Sequence, residues 1–147
     1  MSHARTQIRQ AVVALLTGHT AAGSRVYTSR VYPLDDPKLP ALLVSTPQES
    51  MGNPSMQRPR TQQRTPQLVI EGYVKARGDI EAEADALAVE VEKLIGADPT
   101  LGGRVKDTML DSTAIQLSGD GEKPVAVIVL TFAVLYCTKE NAPQTLV

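Results

Sequence analysis

Apolar residues recur every third or fourth position at the start of the chain. Ala4, Ile8, Ala11, Val12 and Leu15 form one stripe, which predicts a helix over about Ala4–Thr17. Ser2 stands where an N-cap belongs and Gly18 where a helix ends. The pattern then becomes extended. Arg25–Tyr32 reads as a short strand closed by Pro33 and the Asp35-Asp36-Pro37 turn. Leu39–Thr46 reads as a second, in which Leu42-Leu43-Val44 is too continuous for one wet face. In Gln67–Lys75 the sides alternate, with Leu68, Ile70 and Val74 opposite Val69, Glu71 and Tyr73. Asp79 is the expected N-cap of a second helix, where Ile80, Ala84, Leu87, Val91 and Leu94 repeat at helical spacing. Gly96 is expected to end it and Pro99 to prevent its resumption.

The last third reads as a β-hairpin. Arg104–Leu117 places Val105, Met109, Thr113, Ile115 and Leu117 on one side, Ser118–Lys123 forms the turn, and Val125–Thr138 returns. This last strand is apolar on both faces, so it is expected to be central. A helix would cover one face, and a second subunit is the candidate cover for the other. At ~3.3 Å per residue it runs ~45 Å, longer than most strands, so it bends or projects. The element order is αβββαββ: an α+β fold, one domain over residues 1–147, with a mixed, mainly antiparallel sheet packed by two helices.

One stretch has no periodicity. Residues 46–66, and Pro47–Thr65 in particular, are rich in Gln, Pro, Arg and Ser and read as a long loop; connections beyond ~12–15 residues are usually functional or disordered. From Ser50 to Ile70 there is no acidic residue, while Arg58, Arg60 and Arg64 stand among prolines. The second helix reverses the sign: Asp79, Glu81, Glu83, Asp85, Glu90 and Glu92 accompany Lys93 alone. A basic arm and an acidic helix face are complementary patches, so contact between copies of the chain is the expected use. Residues 139–147 read as a flexible C-terminal tail.

Composition narrows the class. The 147 residues are 42% hydrophobic but only 3% aromatic, so the core is aliphatic. A net charge of −1 argues against a dedicated DNA binder. The single cysteine, Cys137, excludes an intramolecular disulfide, fits a reducing compartment and is expected to be a buried structural thiol. Met1–Gln10 lacks the apolar stretch of a signal peptide, and the longest apolar run, Val125–Leu130, is too short to cross a bilayer. A soluble protein is expected.

Catalytic chemistry finds no footing. His3 and His19 flank a helix without a further ligand at metal spacing. Gly102-Gly103 and Gly119-Asp120-Gly121 match neither a phosphate loop nor a dinucleotide fingerprint. The helix carboxylates lack an apolar pocket to shift a pKa. Between Tyr32 and Tyr73 no aromatic residue is available to stack bases beside the arginines. The expectation is a non-enzyme with no cofactor and no metal, whose interface residues are Arg58, Arg60 and Arg64 on one side and Glu83 and Glu90 on the other.

The order of landmarks resembles that of the lambda-type tail terminator (tail completion) proteins of long-tailed phages. The pieces that carry it are Val12–Leu16, Arg25-Val26-Tyr27, Leu39–Val44 and Val91-Glu92-Lys93-Leu94-Ile95. Asp98–Val105 and the closing Leu130-Thr131-Phe132-Ala133-Val134-Leu135-Tyr136 complete the set. The resemblance implies a structural protein that forms a ring, of six subunits, capping the head-proximal end of the tail tube. It would stop tube polymerisation and offer a head–tail joining surface. The implied partners are other copies of the chain, the tail tube protein and a head–neck connector. DNA would pass through the ring without sequence-specific binding, and assembly would take place in the host cytoplasm. The alternatives are a head–tail connector or neck protein and, from another class, a nucleic-acid-binding module using the arginine loop.

Overall fold

The N-terminal stripe folds as a helix. The computed structural model describes residues 2–28, 39–75, 78–118 and 125–147. In it α1 spans Ala4–Leu16 and buries Ala4, Ile8, Val12 and Leu16. Spacing by four advances about 40° per step around a 3.6-residue turn, so the buried face curls and Leu16 closes it, not Leu15. The N-cap is His3 instead of Ser2: its Nδ1 accepts from the Arg5 backbone N–H at 3.1 Å. After Thr17 the chain turns through Gly18 at φ 78°, a left-handed conformation that favours glycine.

The strands are β1 (Val26–Tyr27), β2 (Ala41–Ser45), β3 (Glu49–Gly52), β4 (Thr61–Lys75), β5 (Asp107–Ser118) and β6 (Val125–Lys139), with α2 (Ile80–Ala97) between β4 and β5. They form one open sheet in the order β1-β2-β4-β6-β5, and β3 also pairs with β4. Every pairing is antiparallel except β1 with β2. The α+β class, two helices and mainly antiparallel sheet agree with the sequence. The order gains one strand, αββββαββ.

That extra strand corrects the loop reading of residues 46–66. β2 pairs with Val69–Tyr73 and β3 with Gln63–Pro66, so both lie on the same side of β4. The Gln67 N–H to Gln48 carbonyl bond (2.8 Å) bridges the two ladders. The segment is a β-hairpin whose open end is 53–60. Its strands escaped the pattern because Glu-Ser-Met-Gly and Thr-Gln-Gln-Arg-Thr carry no apolar alternation; main-chain bonds hold them. β4 thus extends to Thr61, opposite Lys139, and the long β6 is matched along its length.

Both helices pack on one face of the sheet. There α1 and α2 bury Leu42, Val44, Leu68 and Ile70, together with Ile128, Leu130, Phe132, Val134 and Tyr136 of β6. At Gly72 helix and sheet come closest: a Cβ there would lie 2.8 Å from Leu87 Cδ2 and 3.0 Å from Ile128 Cγ2. The opposite face carries a smaller cluster of Leu39, Ala41, Tyr73 and Val127 edged by half-buried Leu43 and Val129. No helix covers it among the described residues.

Further readings are corrected. Asp79 caps α2 as expected, accepting from Ala82 N–H at 3.1 Å, but the helix runs past Gly96 to Ala97 and ends before Pro99. Leu101, Gly102 and Gly103, all at positive φ, then make the turn. In β5 a bulge between Leu110 and Ser112 reverses the side-chain parity. Met109 therefore points away from the helices, while Thr113, Ile115 and Leu117 share their side. Cys137 is half-buried on the face away from the helices. Residues 139–147 are tied down: Glu140 N–H bonds Arg60 O, Ala4 N–H bonds Pro143 O and Val147 N–H bonds Cys137 O. The turns expected at 33–37 and 118–123 lie outside the described residues, apart from the backbone of Ser118.

Candidate functional site

The three arginines of the expected arm have three different fates. Arg64 lies near the stem of the hairpin, on the helix side of β4, and is 5% exposed. Its Nη1 donates to Glu49 Oε1 at 3.0 Å and its Nη2 to Gln62 Oε1 at 2.9 Å. Glu49 also accepts from Arg5 Nη1 (2.8 Å) and from the Tyr136 hydroxyl (2.6 Å). One buried carboxylate therefore joins α1, β3, β4 and β6. Burial, with the bond to Glu49 next, pushes the Tyr136 phenol up to about 12. His3 sits at the margin of this cluster. Its Nδ1 lone pair is taken by the cap bond, so in the neutral ring Nε2 carries the proton and the 3.4 Å approach of Arg64 Nη1 is only a contact. Burial, then the charges of Arg5 and Arg64, lower the His3 pKa below its ordinary 6.5.

Arg60 is occupied within the chain. It pairs with Glu140 at 3.5 Å, and its N–H donates to the same carboxylate at 3.0 Å. That backbone bond leads the causes that lower the Glu140 pKa. Of the three only Arg58, at the hairpin end, is exposed, and its charge joins that of Arg60 in lowering the Glu140 pKa. Beside it Met56 is 88% exposed. The hairpin end thus presents one exposed guanidinium and a methionine, not three open arginines. This leaves little for gripping a nucleic-acid backbone.

The acidic partners are placed differently from each other as well. Glu83 and Glu90 line a shallow cavity of about 320 Å³ with Ala21, Pro40, Val74 and Lys75. Glu83 is exposed, whereas Glu90 accepts from Ala21 N–H at 3.2 Å. The structure brings none of the three arginines together with either glutamate within one chain.

Sequence reasoning missed two features. The first is the Glu49 cluster, because Glu49 sits in a stretch read as loop and its partners are up to 87 residues away. The second is β5. It lies at an edge of the sheet, bonded to β6 on one side and without a strand partner on the other among the described residues. Every residue from Met109 to Leu117 is exposed, including Met109, Leu110, Ile115 and Leu117. The signal was present in the sequence: an apolar strand that the helix stripe is too narrow to cover. Among the described residues no group of three or more His, Cys, Asp or Glu is arranged to hold a metal.

No protein-family model matches the chain. A search of curated proteins returns no match. Among solved structures the chain is similar to a chain of the virion of a native gene transfer agent (GTA) particle. The two are 18% identical with a TM-score of 0.50, over 90% of this chain and 92% of that chain. The likeness is one of fold. It spans nearly the whole of both chains.

Proposed function

We propose that the chain is a structural protein of a phage-type virion and, within it, the tail terminator. It assembles with further copies of itself into a ring, of six subunits, at the head-proximal end of the tail tube. There it stops tube growth and presents the surface that the neck joins. The observation that carries this reading is the end-to-end likeness of fold to a chain of a gene transfer agent virion. The landmark order that resembles tail terminators supports the finer assignment. So does the division of the surface: an exposed hairpin end at one place and an open apolar edge at another suit contacts between unlike patches, the kind that forms a ring when the rotation between subunits closes. The role is non-enzymatic.

The test is to add the purified protein to polymerising tail tube protein of the same particle and measure tube length by electron microscopy. Tubes that stop growing, with a ring at one end, are the expected result. Unchanged tube lengths contradict the terminator role. Binding to the head vertex without binding to tubes moves the chain to the neck.

A further inference from the structure

The end of the β3–β4 hairpin, residues 53–60, belongs to neither strand and bends at 57–59. Pro54 and Pro59 have no main-chain N–H to donate, so this end cannot extend a sheet. It presents side chains instead: Met56 and Arg58 are both exposed. Its base is held fast. Glu140 N–H donates to Arg60 O, the Glu140 carboxylate accepts from Arg60 N–H, and Glu49 binds Arg64 and Tyr136 just below. A bent tip on a fixed base, with one unbranched apolar side chain and one guanidinium, suits a concave receptor that is apolar and acidic.

The cavity beside α2 meets that description. Pro40, Val74, Ala86 and Leu87 give it an apolar lining, and Glu83 and Glu90 against Lys75 leave it one net negative charge. Glu90 already accepts from Ala21 N–H, so Glu83 is the exposed carboxylate at this site. The surroundings keep the signs apart: six acids accompany Lys93 along α2, whereas no acid occurs from Ser50 to Ile70 around the hairpin end. The two patches also lie at opposite ends of β4. From Gln63, beside the hairpin end, to Val74, in the cavity, the strand runs roughly 36 Å at ~3.3 Å per residue, so a chain cannot fill its own cavity. We propose that the hairpin end of one copy docks in the α2 cavity of the next, with Met56 on the apolar lining and Arg58 against Glu83. Copies so joined run head to tail, the arrangement that forms a ring when the rotation between subunits closes. The inference deepens the reading given under Proposed function and rests on it.

The test is a charge exchange in the full chain, read as self-association by sedimentation equilibrium at low salt. Arg58→Glu and Glu83→Arg each set like charges against each other at the contact. Both positions are exposed, as is Met56, so the variants should keep the wild-type melting curve. Each reversal alone is expected to weaken association about tenfold or more, and one chain carrying both should recover it. Met56→Ser removes the apolar anchor and should weaken association about tenfold, with no recovery from either reversal. Single reversals that weaken association without recovery in the double variant overturn the pairing of Arg58 with Glu83. Association lost on Ile115→Asp, but kept by both single reversals and by Met56→Ser, overturns the inference in favour of the β5 edge. Either result leaves the ring itself standing, whereas wild-type protein that never self-associates removes both.

Discussion

Ile115 and Ile128 are the same residue, directly opposite one another in the β5–β6 ladder, and their side chains leave the sheet on the same face. Ile128 is 1% exposed; Ile115 is 37% exposed. The difference comes from their neighbours. Ile128 is flanked by β4 as well as β5 and lies beneath Leu87 of α2, near Gly72. Ile115 has β6 on one side and no strand on the other, and it lies at the margin of the layer the helices cover. Pattern alone makes both strands apolar. Only one of them serves the core of the chain, and the other leaves its apolar side chains exposed. Hydrophobic alternation thus marks a strand without telling whether its apolar face is buried within the chain.

Matched substitutions break this pair most sharply. Ile128→Asp places an unpaired charge in the core and should cost about 5 kcal/mol or more, enough to leave insoluble protein. Ile115→Asp should cost no more than about 1–2 kcal/mol by denaturant melts and leave soluble, folded protein, while self-association falls. A soluble, folded Ile128→Asp contradicts the central placement of β6. The hairpin stem gives the next largest effect. Glu49→Ala strips Arg64 of its buried counter-charge and should cost about 3–5 kcal/mol by urea unfolding. A loss below ~1 kcal/mol would mean that the clamp is not what holds the arm.

Gly72→Ala sharpens the account of the cover over Ile128. The added methyl meets Leu87 and Ile128 at or below 3.0 Å, so a loss of about 1–3 kcal/mol is expected, with equal stability the contrary result. The smallest effect is on pH. The folded pKa of His3 is depressed, so between that value and 6.5 the unfolded chain binds more protons. Stability from this residue is therefore complete above the unfolded value and is lost as pH falls from about 6.5 toward the folded one. His3→Asn keeps a capping acceptor but does not titrate, and should remove that slope from stability measured against pH.

Much of the fold was legible because it depends on local periodicity. The α1 stripe, the Asp79 cap, the two faces of β4 around Leu68 and Tyr73, and the two-sided β6 were all read from spacing. The rest depends on long-range pairing. Glu49 joins Arg64, Arg5 and Tyr136 only once four elements are assembled, so nothing local marks Arg64 as buried. β3 has no apolar rhythm because its ladder, not its side chains, holds it. The single-residue bulge at Asp111 reversed the face of Met109 relative to Ile115, a slip no pattern of alternation reveals. Of the three expected interface arginines, Arg58 remained exposed; Arg60 and Arg64 were taken by Glu140 and Glu49.

A ring of six copies is the part of the proposed function that solution measurements reach first. Its most direct test is the mass of the purified wild-type protein by light scattering over a wide concentration range. A discrete species of six chain masses that grows with concentration, with no larger species beyond it, is the expected result. A monomer throughout the range, or a species that stops at two chains, would contradict it.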